Sequence, residues 1–217
     1  MKIIDLSQTN SVINCYMAQL RDVNRQTNRA GFRNNLQRIG QVMAYEISRQ
    51  LDYSAKTIRT PLGQAQVNTC DNRIVIGTVL RAGLAFHEGF LHVFDEADCG
   101  FVAAYRVENG TRHPDIHLEY IAAPSLEQSV FLLVDPMLAT GISLETAWRM
   151  FRKNGTPAQM HVCTVISSRQ GVEHLQTVFD DNVTLWTAAI DPELNDEAYY
   201  IVPGLGDAGD CSFGPKL

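Results

Sequence analysis

At 217 residues, with 45% apolar side chains, the chain is long enough to bury one sizeable core. A formal charge of -6, with only 18 lysines and arginines and no basic block, argues against a nucleic-acid surface as its main business. No apolar run approaches the ~18 residues of a membrane span, and Met1-Lys2-Ile3-Ile4-Asp5-Leu6-Ser7 lacks the charged-then-apolar layout of a signal peptide. The expectation is a cytoplasmic protein that neither binds nucleic acid nor enters a membrane. Cys15, Cys70, Cys99, Cys163 and Cys211 are odd in number, scattered and free of any C-x-x-C pair, which speaks against a disulfide framework or a zinc site.

Taken in chain order, Phe32, Leu36, Ile39, Met43, Ile47 and Leu51 step by three or four and predict an amphipathic helix over Phe32 to Leu51. Thr60-Pro61-Leu62-Gly63 separates it from a buried strand at Ile74 to Val79, which ends at Arg81-Ala82-Gly83. A second strand is expected at Gly100 to Arg106. Asn109-Gly110, flanked by Glu108, Thr111, Arg112 and His113, signals a tight turn and predicts a projecting, mobile hairpin or flap. His113-Pro114-Asp115-Ile116-His117 has the look of a metal cluster, but Pro114 opposes a shared helical face, and a solvated loop is the expectation. Further strands are predicted at Val130 to Val134, Gln159 to Ile166 and Val183 to Ala189. Helices at Leu144 to Asn154 and Gly171 to Phe179 cross between them, with Gly155 capping the first. Strands alternating with helices make an α/β fold with a parallel sheet. The N-terminal portion and the C-terminal loop are expected to form a small hood over its active edge.

The stretch Val130 to Ser143 carries the most chemistry. An apolar run, buried on both faces as in a parallel sheet, ends in Asp135, at the carboxyl end of a strand where open α/β sheets place ligands. Thr140, Gly141, Ile142 and Ser143 then lead into a helix. Gly141 permits close backbone approach, and the unpaired N–H groups and positive dipole end of the helix seat a phosphate. One acid beside one anion cradle suits a phosphorylated sugar. Taken alone, the same pattern also describes an ordinary βα turn with a polar cap.

The full string Asp135-Pro136-Met137-Leu138-Ala139-Thr140-Gly141-Ile142-Ser143 resembles the phosphoribosyl pyrophosphate (PRPP) loop of uracil phosphoribosyltransferases. Val134 and Ala139 stand where most type I phosphoribosyltransferases carry further acids, as in the uracil-specific version. Tyr200-Ile201-Val202-Pro203-Gly204-Leu205-Gly206-Asp207-Ala208-Gly209-Asp210 resembles the family's uracil-binding loop, and Leu80-Arg81-Ala82-Gly83 its pyrophosphate loop. The likeness extends upstream through Leu20-Arg21-Asp22, Phe32-Arg33 and Thr60-Pro61-Leu62, and so spans essentially the whole chain. Two positions depart from the pattern: Ile142 replaces a residue that is usually small, and Cys211-Ser212 replaces a basic and an apolar residue.

The resemblance implies a single phosphoribosyltransferase domain over residues 1–217, a parallel type I core with helices on both faces, a hood and a flap. It implies pyrimidine salvage: uracil and PRPP give UMP and pyrophosphate, with magnesium carried in by PRPP and no dedicated metal cage in the protein. Arg81 and Arg106 would hold the pyrophosphate. Asp135 would take the ribose hydroxyls or order magnesium through water, and the loop through Pro136, Met137, Leu138, Ala139, Thr140, Gly141, Ile142 and Ser143 would cradle the 5-phosphate. Backbone groups of Ile201, Gly206 and Ala208 would read the uracil edge. Asp207 would either accept the N1 proton or organise magnesium and water near the pyrophosphate. Arg81, Arg106 and Asp207 are thus the candidate catalytic residues. A homo-oligomer, dimer or tetramer, is implied by resemblance only. Competing readings are a nucleotide-sensing, RNA-binding regulator and a catalytically degenerate transferase-like domain, the latter prompted by Ile142 and Cys211. A nucleophilic role for Cys211 is disfavoured, because glycosyl transfer to uracil needs no thiol intermediate.

Overall fold

A computed structural model describes residues 1–107, 115–195 and 199–215, and of residues 104–107 and 115–119 the backbone alone. The chain opens with β1 (Lys2–Asp5), α1 (Val12–Arg21) and α2 (Arg29–Ser48). A hairpin of β2 (Tyr53–Thr60) and β3 (Gly63–Cys70) precedes β4 (Ile74–Leu80), α3 (Gly83–Leu91), β5 (Asp98–Val107) and β6 (Asp115–Ala122). Next come β7 (Val130–Val134), β8 (Met137–Leu138), α4 (Ile142–Phe151), β9 (Gln159–Thr164), β10 (Ile166–Ser168) and α5 (Arg169–Val178). The chain continues through β11 (Val183–Thr187), β12 (Ile190–Asp191), β13 (Glu193–Leu194), β14 (Ile201–Val202) and α6 (Ala208–Phe213).

The central sheet has seven strands in the order β1-β11-β9-β7-β4-β5-β6. Every pairing is parallel except that of β5 with β6. Its inner strands are apolar runs because both faces are covered. In β7, Leu132 and Val134 point to a layer with Leu36, Ile39 and Met43 of α2 and Phe86 and Phe90 of α3. Phe131 and Leu133 point the other way, to Leu144, Ala147 and Phe151 of α4 and Leu175 of α5. Each such fully buried side chain is worth roughly 1.5–3 kcal/mol in transfer free energy. The expected helices on both faces are therefore present.

Local signals set the helix starts. Ser11 and Asn14 form a reciprocal capping box on α1, Asn28 accepts the Gly31 N–H on α2, and Ser168 accepts the Gly171 N–H on α5. Helices α2 and α3 cross where both carry glycine. A Cβ on Gly89 would lie 2.2 Å from the Gln37 carbonyl, and one on Gly40 would lie 2.6 Å from the Phe86 carbonyl. Larger residues would force the helices apart.

Several sequence expectations need correction. The helix predicted from Phe32 starts at Arg29 and ends at Ser48. The strand predicted over Gln159 to Ile166 breaks at Val165, and its continuation β10 joins β8 and β12 in a small parallel sheet beyond the main one. Asp115 to His117, expected in a solvated loop, begin β6, paired antiparallel with β5. The expected flap at Glu108 to His113 lies outside the described residues. Helix α3 and the β2–β3 hairpin were not anticipated.

Candidate active site

The order of the central strands locates a crevice. From β4 the chain runs outward through β5 and β6, whereas from β7 it runs the opposite way to β9 and β11. The loops after β4 and β7 therefore diverge, and such a switch point opens a cleft at the carboxyl ends of the strands. Thr78 of β4 pairs with Val134 of β7, so Arg81 and Asp135 leave the sheet side by side. Leu80–Arg81 is a cis peptide, as is Val202–Pro203 in the C-terminal loop.

The loop after β7 is held almost entirely by its own βα neighbours. Asp135 is buried; its N–H donates to the Cys163 carbonyl at 3.1 Å and its Oδ1 accepts the Met137 N–H at 3.1 Å. The Pro136 carbonyl accepts from Val165, at the break between β9 and β10, and from Ile166 of β10, each at 3.0 Å. Ser168 Oγ donates to the Ala139 carbonyl at 2.6 Å. Gly141, at φ 86°, is the N-cap of α4, and a Cβ there would meet the His174 ring at 2.7 Å. His174 in turn bonds Glu145 in the first turn of α4 at 2.7 Å. Pro136 and Leu138 are buried; Met137, Ala139, Thr140, Ile142 and Ser143 are half-buried at the rim. At the start of α4 the Ile142 N–H bonds Thr140 Oγ1 at 3.5 Å and Gly141 caps the helix without a side chain; the first turn of a helix is an arrangement that can accept an anion.

Arg81 is exposed, and its Nη2 reaches Asp210 Oδ1 at 3.1 Å and the Gly214 carbonyl at 3.2 Å. Here the fold joins two motifs about 130 residues apart in sequence. Asp207 is the N-cap of α6 and accepts the Asp210 N–H at 2.8 Å. A Cβ on Gly209 would lie 3.1 Å from Asp207 Oδ1 and 3.9 Å from Arg81 Nη2, so that carboxylate and that guanidinium flank the same glycine. Arg106 lies in β5 opposite Ile116, and its side chain is outside the described residues.

In the C-terminal loop Ile201 is buried and paired with Leu194, Gly206 is exposed, and Ala208 is buried at the start of α6. Arg21 and Asp191, to which the sequence reading assigned no role, grip this loop. Arg21 Nη1 and Nη2 meet Asp191 Oδ2 and Oδ1 at 2.7 Å each, and both backbone polar atoms of Gly204 bond to the same pair. Burial opposes ionisation of Asp191, yet the bonds from Arg21 and Gly204 and the Arg21 charge hold its carboxyl below the ordinary value. Arg21 stood in an upstream motif of the family likeness; Asp191 stood in none. Burial raises the Cys211 thiol, as do Asp207 and Asp210, against the pull of Arg29. A thiolate is therefore scarce at neutral pH, which fits the reading of Cys211 as no nucleophile. Among the described residues no group of three or more His, Cys, Asp or Glu is placed to hold a metal ion.

The family model described as uracil phosphoribosyltransferase matches residues 7–215. The chain belongs to the uracil phosphoribosyltransferase family. It is 46% identical over 217 residues to the uracil phosphoribosyltransferase of Porphyromonas gingivalis, covering 100% of both chains. It is 38% identical over 187 residues to that of Methanothermobacter thermautotrophicus, covering 85% of this chain and 84% of the relative. Among solved structures, a protein from Aquifex aeolicus superposes with a TM-score of 0.87 at 29% identity over 99% of each chain. A hypoxanthine phosphoribosyltransferase from Staphylococcus aureus reaches a TM-score of 0.50 at 11% identity, covering 75% of this chain and 76% of that one, a likeness of fold alone. The type I core expected from the PRPP-loop likeness is thus the fold observed. Among the described residues no helix is long and apolar enough to cross a membrane.

Proposed function

We infer that this chain joins uracil to the phosphoribosyl group of magnesium-bound PRPP. The bond from the anomeric carbon to pyrophosphate breaks, and the leaving group keeps the electron pair. A bond from uracil N1 to that carbon forms, N1 gives up its proton, and UMP and pyrophosphate result. The observation that carries the reading is the bond from Arg81, just after β4, to Asp210 of the C-terminal loop, with Asp207 flanking the same glycine, at the switch point where the Asp135 loop also leaves the sheet.

Each need of the reaction has a residue type suited to it. Positive charge grows on the ribose and negative charge on the leaving group. Arg81 and Arg106 offset the latter, and a preorganised donor of this kind is commonly worth ~3 kcal/mol. Asp135, already aligned by the Met137 N–H, takes the ribose hydroxyls. The backbone from Ala139 to Ser143, at the start of α4, receives the 5-phosphate, so the branched side chain of Ile142 is tolerated where only N–H groups are needed. The carboxylates of Asp135 and Asp207 are the hard oxygen donors that would hold the water shell of a magnesium ion brought by PRPP, which would supply neutralisation of its phosphate charge. Backbone groups at Ile201, Gly206 and Ala208 complement the uracil carbonyls and N–H. Cytosine would leave some of them unpaired, which can cost about 10^4-fold. Asp207 serves as acceptor of the N1 proton or as organiser of the pyrophosphate with its magnesium; a fall in kcat of about 10^2 to 10^4-fold in Asp207→Asn with the magnesium dependence unchanged would assign the base, and a raised magnesium requirement the organiser.

The test is UMP formation from radiolabelled uracil with PRPP and magnesium, beside cytosine, hypoxanthine and orotate. Turnover of uracil alone is expected. Absence of UMP from folded protein that still binds PRPP would overturn the reading.

A further inference from the structure

Arg81 and Asp207 bond the far end of the C-terminal loop, at Asp210 and Gly214, whereas its start at Gly204 is held by residues that touch no substrate in this reading. Arg21 is the last residue of α1, and Asp191 closes β12, beyond the end of core strand β11. Their two-pronged bond has both distances at 2.7 Å, and Asp191 is only 5% exposed. Gly204, where the loop begins, donates its N–H to Asp191 Oδ2 at 2.8 Å and accepts at its carbonyl from Arg21 Nη1 at 2.9 Å. Its φ of 64° and a would-be Cβ only 2.0 Å from the Ile201 carbonyl leave no room for another residue there. One residue further on, the Leu205 carbonyl accepts from Gln26 Nε2 at 2.8 Å, and the same nitrogen bonds the Leu20 carbonyl at 2.8 Å. The segment Leu20 to Gln26 is therefore stapled to Gly204 and Leu205, immediately before Gly206, Asp207 and Ala208.

We propose that Arg21 and Asp191 are positioning residues for base recognition: their ion pair fixes the Gly204 backbone to the end of α1 and to β12 of the small parallel sheet, and so sets where Gly206 and Ala208 meet the base. The inference rests on the reading that this loop takes uracil. A forked guanidinium on a carboxylate restricts both distance and plane, whereas a lysine offers a point charge without orientation. The Asp135 loop depends on different bonds, those to Cys163, Val165, Ile166 and Ser168, and does not use Arg21. Loosening the pair should then damage uracil binding selectively.

The test compares the full chain with Arg21→Lys and Asp191→Asn, measuring KM and kcat for each substrate and PRPP affinity by calorimetry without uracil. In both variants the KM for uracil is expected to rise by about tenfold or more, since small misplacements of a binding group are costly. The PRPP dissociation constant should stay within about threefold, and the preference for uracil over cytosine should shrink. Arg21→Lys, though it keeps the charge, should not rescue. Equal rises in both KM values, or a fall in kcat with the uracil KM unchanged, would overturn the proposal. So would failure of Asp191→Asn to fold, which would make the pair a requirement of folding. No uracil turnover by the unaltered chain, by contrast, would remove the reading beneath the proposal, and is told apart because it precedes any variant.

Discussion

The two loops that form the candidate site are built in opposite ways. The Asp135 to Ser143 loop is a continuous strand-to-helix turn whose bonds run to the next strand and helix in the same sheet. The Gly204 to Asp210 loop has little regular structure of its own and is held by Arg21, Gln26 and Asp191, with Arg33 reaching the Ser212 carbonyl at 2.6 Å just beyond it. The first is stiff because its geometry is that of a βα unit. The second is as stiff as its long-range partners make it. In the proposed function, a ligand group seated on the first needs only backbone and one acid, while discrimination between bases is left to the loop whose shape depends on the rest of the fold.

Arg81 lies between the two loops, and its removal should have the largest effect. Arg81→Ala is expected to lower kcat/KM by about 10^2 to 10^3-fold, as for loss of a leaving-group donor. Because its contacts are exposed, the melting temperature should barely move; a large drop would mean that Arg81 holds the C-terminal segment in place and is not primarily chemical.

The sheet that carries both loops supplies a contrast of similar size. His161 is buried, its Nδ1 accepts the Trp186 indole N–H at 3.1 Å, and its Nε2 has no partner among the described residues. Burial pushes its pKa down to about 4. The unfolded chain takes up this proton near the ordinary value and the folded chain does not, so stability falls as pH drops from about 6.5 towards 4. The loss approaches about 3 kcal/mol once both states are protonated. Urea unfolding between pH 7 and 4 should show it, and His161→Gln should flatten the slope; an unaltered slope would assign the acid sensitivity to other groups.

Two glycine substitutions sharpen the comparison itself. Gly141→Ala combines a left-handed φ of 86° with a contact at 2.7 Å to His174, and should cost about 2 kcal/mol of stability together with PRPP affinity. Gly206→Ala faces open space, its nearest neighbours at 3.9 and 4.0 Å, so only backbone strain at φ 77° remains, about 1 kcal/mol. Thermal unfolding and PRPP titration of the pair would check the order. If Gly206→Ala were the more damaging to PRPP binding, the division of labour between the loops would be wrong.

Much of the core was legible in the residues. Val130 to Val134 announce a strand covered on both faces, and the three-and-four spacing from Phe32 onward announces a helix, because burial on a regular element imposes a period. Helix α3 escaped because Ala85, Phe86, His87, Gly89 and Phe90 are all buried, which removes the polar face that would mark a helix. The β2–β3 hairpin escaped for the opposite reason: nearly all of it is exposed, so no inward-facing set alternates. In the site, Arg81, Asp135 and Asp207 could be picked out because they sit at strand ends or in glycine-rich turns.

By itself, then, the sequence determined the βα units, the glycine turn into α4 and the side chains available for chemistry, all of which follow from short-range periodicity, capping and turn preferences. Only the tertiary structure decided that β4 and β7 lie side by side and open a crevice, that Arg81 meets Asp210, and that Arg21 and Asp191 grip Gly204. Those contacts join segments far apart in the chain. They are set by strand order and by the packing of both faces of the sheet, and no local pattern of residues records either.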